Sequence, residues 1–215
     1  MQIAYTAKLN SGCLSRQVGA AVTDENFSIM SIGWNDVPEA QVSCGLRDIN
    51  KLLDNNDSEA FSDFEKSNEF KCFVEKKLST MEQKVKGRYC QFCFKDAYNS
   101  YTKQKNQVHT RALHAEENAF LQIIKRGGGL VKNGNLFTTA SPCELCSKKA
   151  YQLGLANIFF IDPYPGISES HIINSGKQRP KLKYFQGAVG RAYNQLYQNF
   201  IPLKDENEIL YTMKF

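Results

Sequence analysis

The sequence predicts a three-layer α/β/α domain interrupted by a helical insertion. Three observations predict it. Short apolar runs of strand character alternate with segments of helical period, an order that covers a sheet with helices. Two of the helical segments open on residues with ligand chemistry, His114-Ala115-Glu116 and Pro142-Cys143-Glu144-Leu145-Cys146. Ahead of the first of these motifs, residues 36–107 drop the alternation and become rich in Lys, Glu, Asp, Asn and Ser.

The elements follow in order. A first helix is expected over 2–10. Strands are expected over 17–23 and 28–33, joined by a hairpin turn at Asp24-Glu25-Asn26. In the stretch 36–107, Leu52, Leu53, Phe61, Phe64, Phe70, Phe73 and Val74 recur at helical rather than alternating spacing, so the insertion is helical and packs on the core. Leu113, Phe120, Ile123 and Ile124 place a helix over 113–126, with His114 and Glu116 in its first turn, and Gly127-Gly128-Gly129 stops it. A strand over 135–139 leads to a helix over 143–153, preceded by Pro142, whose fixed φ and missing N–H do little harm there. A strand over 157–161, a helix over 168–175 and a last strand over 181–185 follow. A final helix over 188–199 carries Ala188, Val189, Ala192, Leu196 and Phe200 on one stripe. The chain thus reads as a single domain, 1–215, with an insertion at 36–107 and a C-terminal extension at 166–215. It has no repeats and no low-complexity tract.

Composition narrows the class. A chain of 215 residues, 42% hydrophobic, has enough apolar material for one core. No run is apolar for long enough to span a bilayer, and no basic-then-apolar signal follows Met1, so no membrane partner is expected. Seven cysteines, two of them in the Pro-Cys-x-x-Cys motif, argue against a secreted disulfide framework and for a cytoplasmic location. The net charge of +5 suits a small polyanionic substrate and is compatible with nucleic acid, so it decides little alone.

The motif pair carries the chemistry. One imidazole, His114, and two thiols, Cys143 and Cys146, supply three protein ligands for Zn²⁺. Three ligands leave a fourth tetrahedral position for water, the mark of a catalytic rather than a structural zinc. Zinc lowers the pKa of its water to about 7, which makes a nucleophile available at neutral pH. Glu116 lies beside the ligand histidine without being needed as a ligand, which suits a carboxyl that shuttles protons. Together the motifs read H-x-E…P-C-x-x-C, the pattern of zinc nucleobase deaminases. Glu117 points elsewhere on a helix and reads as a solvated or structural residue. Both ligand sets lie at helix N-termini, where the dipole favours thiolates.

On these residues the chain resembles the cytidine/deoxycytidylate deaminase superfamily from residue 1 to about residue 165. The segment Cys13-Leu14-Ser15-Arg16-Gln17-Val18-Gly19-Ala20-Ala21-Val22 and the turn Gly33-Trp34-Asn35-Asp36 are similar to that family's first entry and its G-[YW]-N-[GD] turn. The resemblance implies a cytidine-deaminase-like fold and zinc-dependent hydrolytic deamination of a free deoxycytidine nucleotide, dCMP or dCTP. It implies that Asn35 binds the sugar 3′-hydroxyl, that Ala140 and Ser141 hold the base with Ala115 as a further contact, and that Tyr164 touches the nucleotide. It also implies a homo-oligomer, with a hexamer favoured. Residues 107–120 and 161–168, with the final stretch 188–204, resemble the deaminase half of bacterial anti-phage dCTP/dCMP deaminases. Those carry an upstream kinase-like P-loop domain, and no G-x-x-x-x-G-K-[ST] occurs here, so the chain reads as an excised domain or a stand-alone relative.

Other assignments stay open. Cys90-Gln91-Phe92-Cys93 is a second C-x-x-C, and Cys44, Cys13 and His109 also have ligand chemistry. A second, structural zinc would use Cys90 and Cys93 first, with the remaining ligands unchosen; the alternative is a set of reduced core cysteines. Arg16 and Arg111 are candidate phosphate ligands, and Arg47 or the insertion's lysines could reach a triphosphate. The competing functions are deamination of cytosine or adenine within RNA or single-stranded DNA, which Asn35 and Tyr164 disfavour, and a zinc-stabilised assembly module, which Glu116 disfavours.

Overall fold

The computed structural model describes residues 1–57, 59–79, 90–106 and 108–212. Its frame is a five-stranded sheet of order β2-β1-β3-β4-β5, formed by Gly19–Thr23 (β1), Ile29–Trp34 (β2), Asn135–Ala140 (β3), Asn157–Asp162 (β4) and Lys181–Tyr184 (β5). β1 pairs antiparallel with both β2 and β3, while β3, β4 and β5 run parallel. The hairpin closes at Asp24, whose side chain accepts from the N–H groups of Asn26 and Ser28. The parallel strands need crossovers. Helix α6 (Glu144–Gln152) supplies one, and a π-helical turn, Ser168–Ile173, supplies the other in place of the expected α-helix.

β1 is buried along its whole length because both sheet faces are covered. On one face lies α1 (Gln2–Ala7), extended by a single 3₁₀ turn to Asn10. It approaches so closely at Gly19 that a Cβ there would sit 2.1 Å from the Ala4 carbonyl oxygen. On the other face lie α5 (Ala115–Lys125) and α6. Ala20, Val22, Leu136 and Ile158 of the sheet pack there against Ala119, Phe120 and Ile123 of α5 and Ala150 of α6. Gly33 admits α5 in the same way, since a Cβ would lie 2.4 Å from Ala115 O and from Ala119 N. The expected stop after α5 forms, with Gly128 N–H donating to Ile123 O.

The insertion is helical, with α2 (Ile49–Leu53), α3 (Asn68–Ser79) and α4 (Phe94–Thr102). Residues 58, 80–89 and 107 of the expected insertion lie outside the described residues. It has apolar clusters of its own. One joins Ile49, Phe70, Val74 and Ala97; another joins Leu52, Ala60 and Phe61. Between them sits a fully buried ion pair, Arg47–Glu65, with the Arg47 guanidinium 4.8 and 4.9 Å from the rings of Phe61 and Phe92. The insertion leaves and rejoins the frame at neighbouring points, where Leu113 N–H donates to Asp36 O.

The C-terminal extension differs from expectation. The helix expected over 188–199 is shorter, α7 (Arg191–Tyr197), and a further helix, α8 (Leu203–Thr212), follows it. Every residue from Arg191 to Thr212 is exposed, so the stripe through Ala192, Leu196 and Phe200 meets no core. Among the described residues no helix is long and apolar enough to cross a membrane.

Candidate active site

The parallel strands and the two motif helices meet at a cleft of about 220 Å³. The strand ends β3 and β4 deliver Ala140 and Asp162, and the chain beyond each turns into the cleft. Such crevices at the carboxyl ends of parallel strands are the usual ligand position in α/β sheets.

His114 and Cys143 do not lie inside helices. Each is the N-cap residue, with extended backbone (ψ 153° and 176°), and the helix begins one residue later. This corrects the expectation that His114 occupies the first turn. The cap position turns its side chain back over the first turn, so Cys143 at the cap and Cys146 three residues on still converge. His114 Nδ1 lies 3.3 Å from Cys143 Sγ and 3.4 Å from Cys146 Sγ. All three ligand atoms fall within 4.8 Å of one another. A tetrahedral zinc at ordinary Zn–N and Zn–S lengths has N···S edges of roughly 3.5 Å. The residues therefore fit zinc, and they bind through Nδ1 of the histidine.

The Cys143 thiol is lowered to about 4, first by its hydrogen bond with Cys146 and also by His114. The Cys146 thiol is pushed up, first by the same contact with Cys143 and then by burial. His114 is raised, chiefly by its hydrogen bond with Cys143. Glu116, 4% exposed, has its carboxyl raised by burial. It lines the cleft, and the Thr138 hydroxyl lies 3.4 Å from its Oε1 while donating to Ala140 O. Glu117 points away and pairs with Lys149, as expected of a structural residue.

The cleft also gathers Asn35, Ala115, Ala140, Ser141, Tyr164 and Arg16. Asn35 Oδ1 accepts from Val18 N (2.6 Å) and Ser11 Oγ, and its Nδ2 donates to Arg16 O. It therefore holds the Arg16–Val18 loop in place, with one amide hydrogen remaining for a ligand. Tyr164 is fixed through its N–H, which donates to Ser141 Oγ at 2.6 Å. Arg16 pairs with Asp162 at 3.4 Å and stays partly exposed. Arg111 is not brought to the cleft. Its guanidinium contacts Glu65 at 3.7 Å and donates to Ala60 O, so the acid buried in the insertion claims it. Arg47 is buried by the same pair and cannot reach a triphosphate from there.

Sequence reasoning missed other residues at the site. Thr138, buried behind the cleft, is legible in principle, because its register on β3 places it beneath Glu116. Lys95, from the first turn of α4, carries no sequence signal that distinguishes it from the insertion's other lysines.

The second metal set separates. Cys93 caps α4, and its thiol, like that of Cys44, is raised by burial. Cys13, Cys44 and Cys93 border one small cavity beside the cleft. Cys90 instead lies outside helix and strand, its carbonyl accepting from Ile49 N, and packs against the insertion's apolar cluster. His109 packs against Tyr98 with ring centroids 4.6 Å apart and planes tilted by 59°. Among the described residues, His114, Cys143 and Cys146 form the one close group of three ligand atoms, while Cys90 is not among the residues that border the small cavity with Cys13, Cys44 and Cys93.

Residues 1–162 match the model of the cytidine and deoxycytidylate deaminase zinc-binding region. The deoxycytidylate deaminase of Enterobacteria phage T2 is 27% identical over 169 residues, 76% of this chain and 78% of the relative. That of Enterobacteria phage T4 is 26% identical, covering 76% of each chain. Among solved structures, the dCMP deaminase of cyanophage S-TIM5 in complex with dCMP and dUMP aligns with a TM-score of 0.49 and 21% identity, over 85% of this chain and 90% of that one. With its zinc-ligand set, its buried carboxyl and a family match over three quarters of its length, the chain belongs to the cytidine and deoxycytidylate deaminase zinc-binding family and is a hydrolytic deaminase.

Proposed function

We propose that the chain deaminates a free deoxycytidine nucleotide, dCMP or dCTP, to the deoxyuridine nucleotide, with one zinc per chain. The observation that carries this reading is the composition of the cleft. A buried acid and a zinc-ligand set occupy it together with Arg16, Lys95 and Tyr164, a basic and aromatic set suited to a phosphorylated nucleoside. The T2 and T4 relatives, named as deoxycytidylate deaminases, support the same substrate.

A zinc ion held by His114, Cys143 and Cys146 supplies a polarised water nucleophile at neutral pH. Glu116 takes the water's proton as the oxygen attacks C4, and passes it to N3. It then takes the second proton, from the hydroxyl now on C4, and delivers it to the 4-amino group, which leaves as ammonia as the C4 carbonyl forms. Burial, by raising the Glu116 carboxyl, stabilises its proton-carrying form and so favours the donor half of that cycle. The backbone at Ala140 and Ser141 orients the base, and Asn35 orients the sugar through its remaining amide hydrogen. By draining a deoxycytidine nucleotide pool, the reaction suits a role in anti-phage defence in the cytoplasm.

The test is a substrate panel of dCMP, dCTP, CMP, CTP, cytidine and cytosine-containing oligonucleotides, followed by ammonia release and uracil product. Free deoxynucleotides are expected to react far faster than the rest. Fast turnover of an oligonucleotide with inert free nucleotides would replace this reading with base editing in nucleic acid.

A further inference from the structure

Among the described residues, two sizeable apolar surfaces of opposite charge character stay bare. The first is a groove of about 600 Å³ on the outer side of α5 and α6. Phe120, Leu121, Ile124, Val131 and Leu153 line it, and Ile124 is 68% exposed. Its surroundings are basic. Lys148 lines it, Arg126 and Lys132 adjoin its lining residues in the chain, and Lys149 and Lys125 are already paired with Glu117 and Glu39.

The second surface is the C-terminal arm. Leu203 and Leu210 lie seven residues apart, so they share one face of α8, with Tyr211 beside them; all three are exposed. A ten-residue helix that packs against nothing is marginal in water, because most helical stability comes from burying an apolar face. α8 is also acidic, with Asp205, Glu206 and Glu208 against Lys204. The arm thus has the shape and charge of a ligand for a basic apolar groove.

Topology decides which groove receives it. The arm departs at Gly190, whose N–H donates to Gln2 Oε1 of α1 at 2.6 Å. α1 covers the Gly19 face of the sheet, whereas α5 and α6 cover the Ala20 and Val22 face. The arm's anchor and the groove therefore lie on opposite sides of the sheet, and the chain's own arm leaves the groove uncovered. We propose that the arm of one copy, with α8 at its end, docks in the α5–α6 groove of a second copy. A reciprocal pair or a closed ring satisfies every arm and every groove. Because α5 and α6 carry Glu116 and Cys146, the docked arm braces the catalytic helices from outside.

The test uses the whole chain and measures mass by light scattering from about 1 to 100 µM. The unmodified protein is expected to be an oligomer. Leu210→Asp in the arm and Ile124→Asp in the groove should each give monomers with an unchanged fold by circular dichroism, since both side chains are exposed in the single chain. Mixing the two variants should restore pairs, because the intact arm of Ile124→Asp meets the intact groove of Leu210→Asp. An unmodified protein that stays monomeric would overturn the proposal. So would an oligomer that neither variant weakens, or two variants that fail to pair on mixing while both remain folded.

Discussion

The wall of the cleft supplied by the sheet and the wall supplied by the insertion are held by different forces. On the sheet side, His114, Glu116, Cys143 and Cys146 sit at the starts of helices that rest against β1–β4, and close backbone approach at Gly33 fixes α5. Strand register and helix starts leave little freedom there. On the insertion side, Lys95 and Cys93 hang from α4, which is positioned by aromatic packing such as Phe94 on Phe70 and by the buried Arg47–Glu65 pair. The difference teaches where each property of the enzyme resides. Bond-making groups belong to the wall whose geometry is set by the backbone. The wall set by side chains adds Lys95 and Cys93 to the cleft, where a few substitutions could reshape the lining without disturbing the groups around His114 and Glu116.

The comparison predicts its largest effects on the sheet side. Removing zinc with a chelator, or replacing Cys143 by Ser, should abolish turnover, and metal analysis of the untreated protein should give one zinc per chain. Two zincs per chain, one of them retained in Cys143→Ser, would place a second metal in the insertion wall and blur the division. Glu116→Gln should keep the zinc and lower kcat by about 10³-fold, in the range lost with a positioned acid–base group. Near-normal kcat in the zinc-loaded variant would remove Glu116 from the proton path.

The insertion should respond in stability before chemistry. Glu65→Ala leaves Arg47 charged, buried and without its partner, in a side chain whose Nε and Nη1 already lack hydrogen-bond partners. Breaking a buried pair in this way costs about 3–5 kcal/mol. Denaturant unfolding should show that loss, while the zinc stays bound and kcat falls far less than in Glu116→Gln. A kcat loss as large as that of Glu116→Gln would mean that the insertion shapes the reacting geometry itself.

The same division governs what the sequence reveals. The strands, the hairpin and the motif helices are legible because alternation, spacing and ligand chemistry repeat along the chain. Even there, His114 and Cys143 read as helical although they are caps, because a cap residue's extended backbone leaves no trace in apolar periodicity. The insertion is legible only as a helical segment. Arg111 looks like a phosphate ligand from its place near His114, yet Glu65, far away in the chain, captures it. Cys90 and Cys93 look like one ligand pair, yet Cys93 borders the small cavity with Cys13 and Cys44 while Cys90 packs against the insertion's apolar cluster. Tertiary partners decide these cases, and a single sequence does not display them. α8 is a different kind of miss, since Pro202 followed by Asp205 and Glu206 is a readable helix start.

The smallest expected effect is the sharpest test of the division, because it concerns two cations in one cleft. Arg16 belongs to the sheet side, tied to Asp162 at the end of β4 and carried on the loop that Asn35 holds. Lys95 belongs to the insertion and lies beside Asp96, 3.7 Å from its carboxylate. If both meet phosphate oxygens, each contributes a charge-assisted hydrogen bond, and losing one should weaken nucleotide recognition by about tenfold or somewhat more. For Lys95→Ala the expected result is a raised KM for dCMP or dCTP, with kcat and the slow reaction of deoxycytidine little changed. Arg16→Ala should raise KM and lower kcat together, since its loop is also the one that positions Asn35 beside the sugar. Comparing the two variants on the nucleotide and on the nucleoside separates phosphate binding from alignment. If Lys95→Ala lowers kcat for deoxycytidine as much as for the nucleotide, Lys95 acts on the reacting ring rather than on phosphate, and the insertion wall takes part in the chemistry.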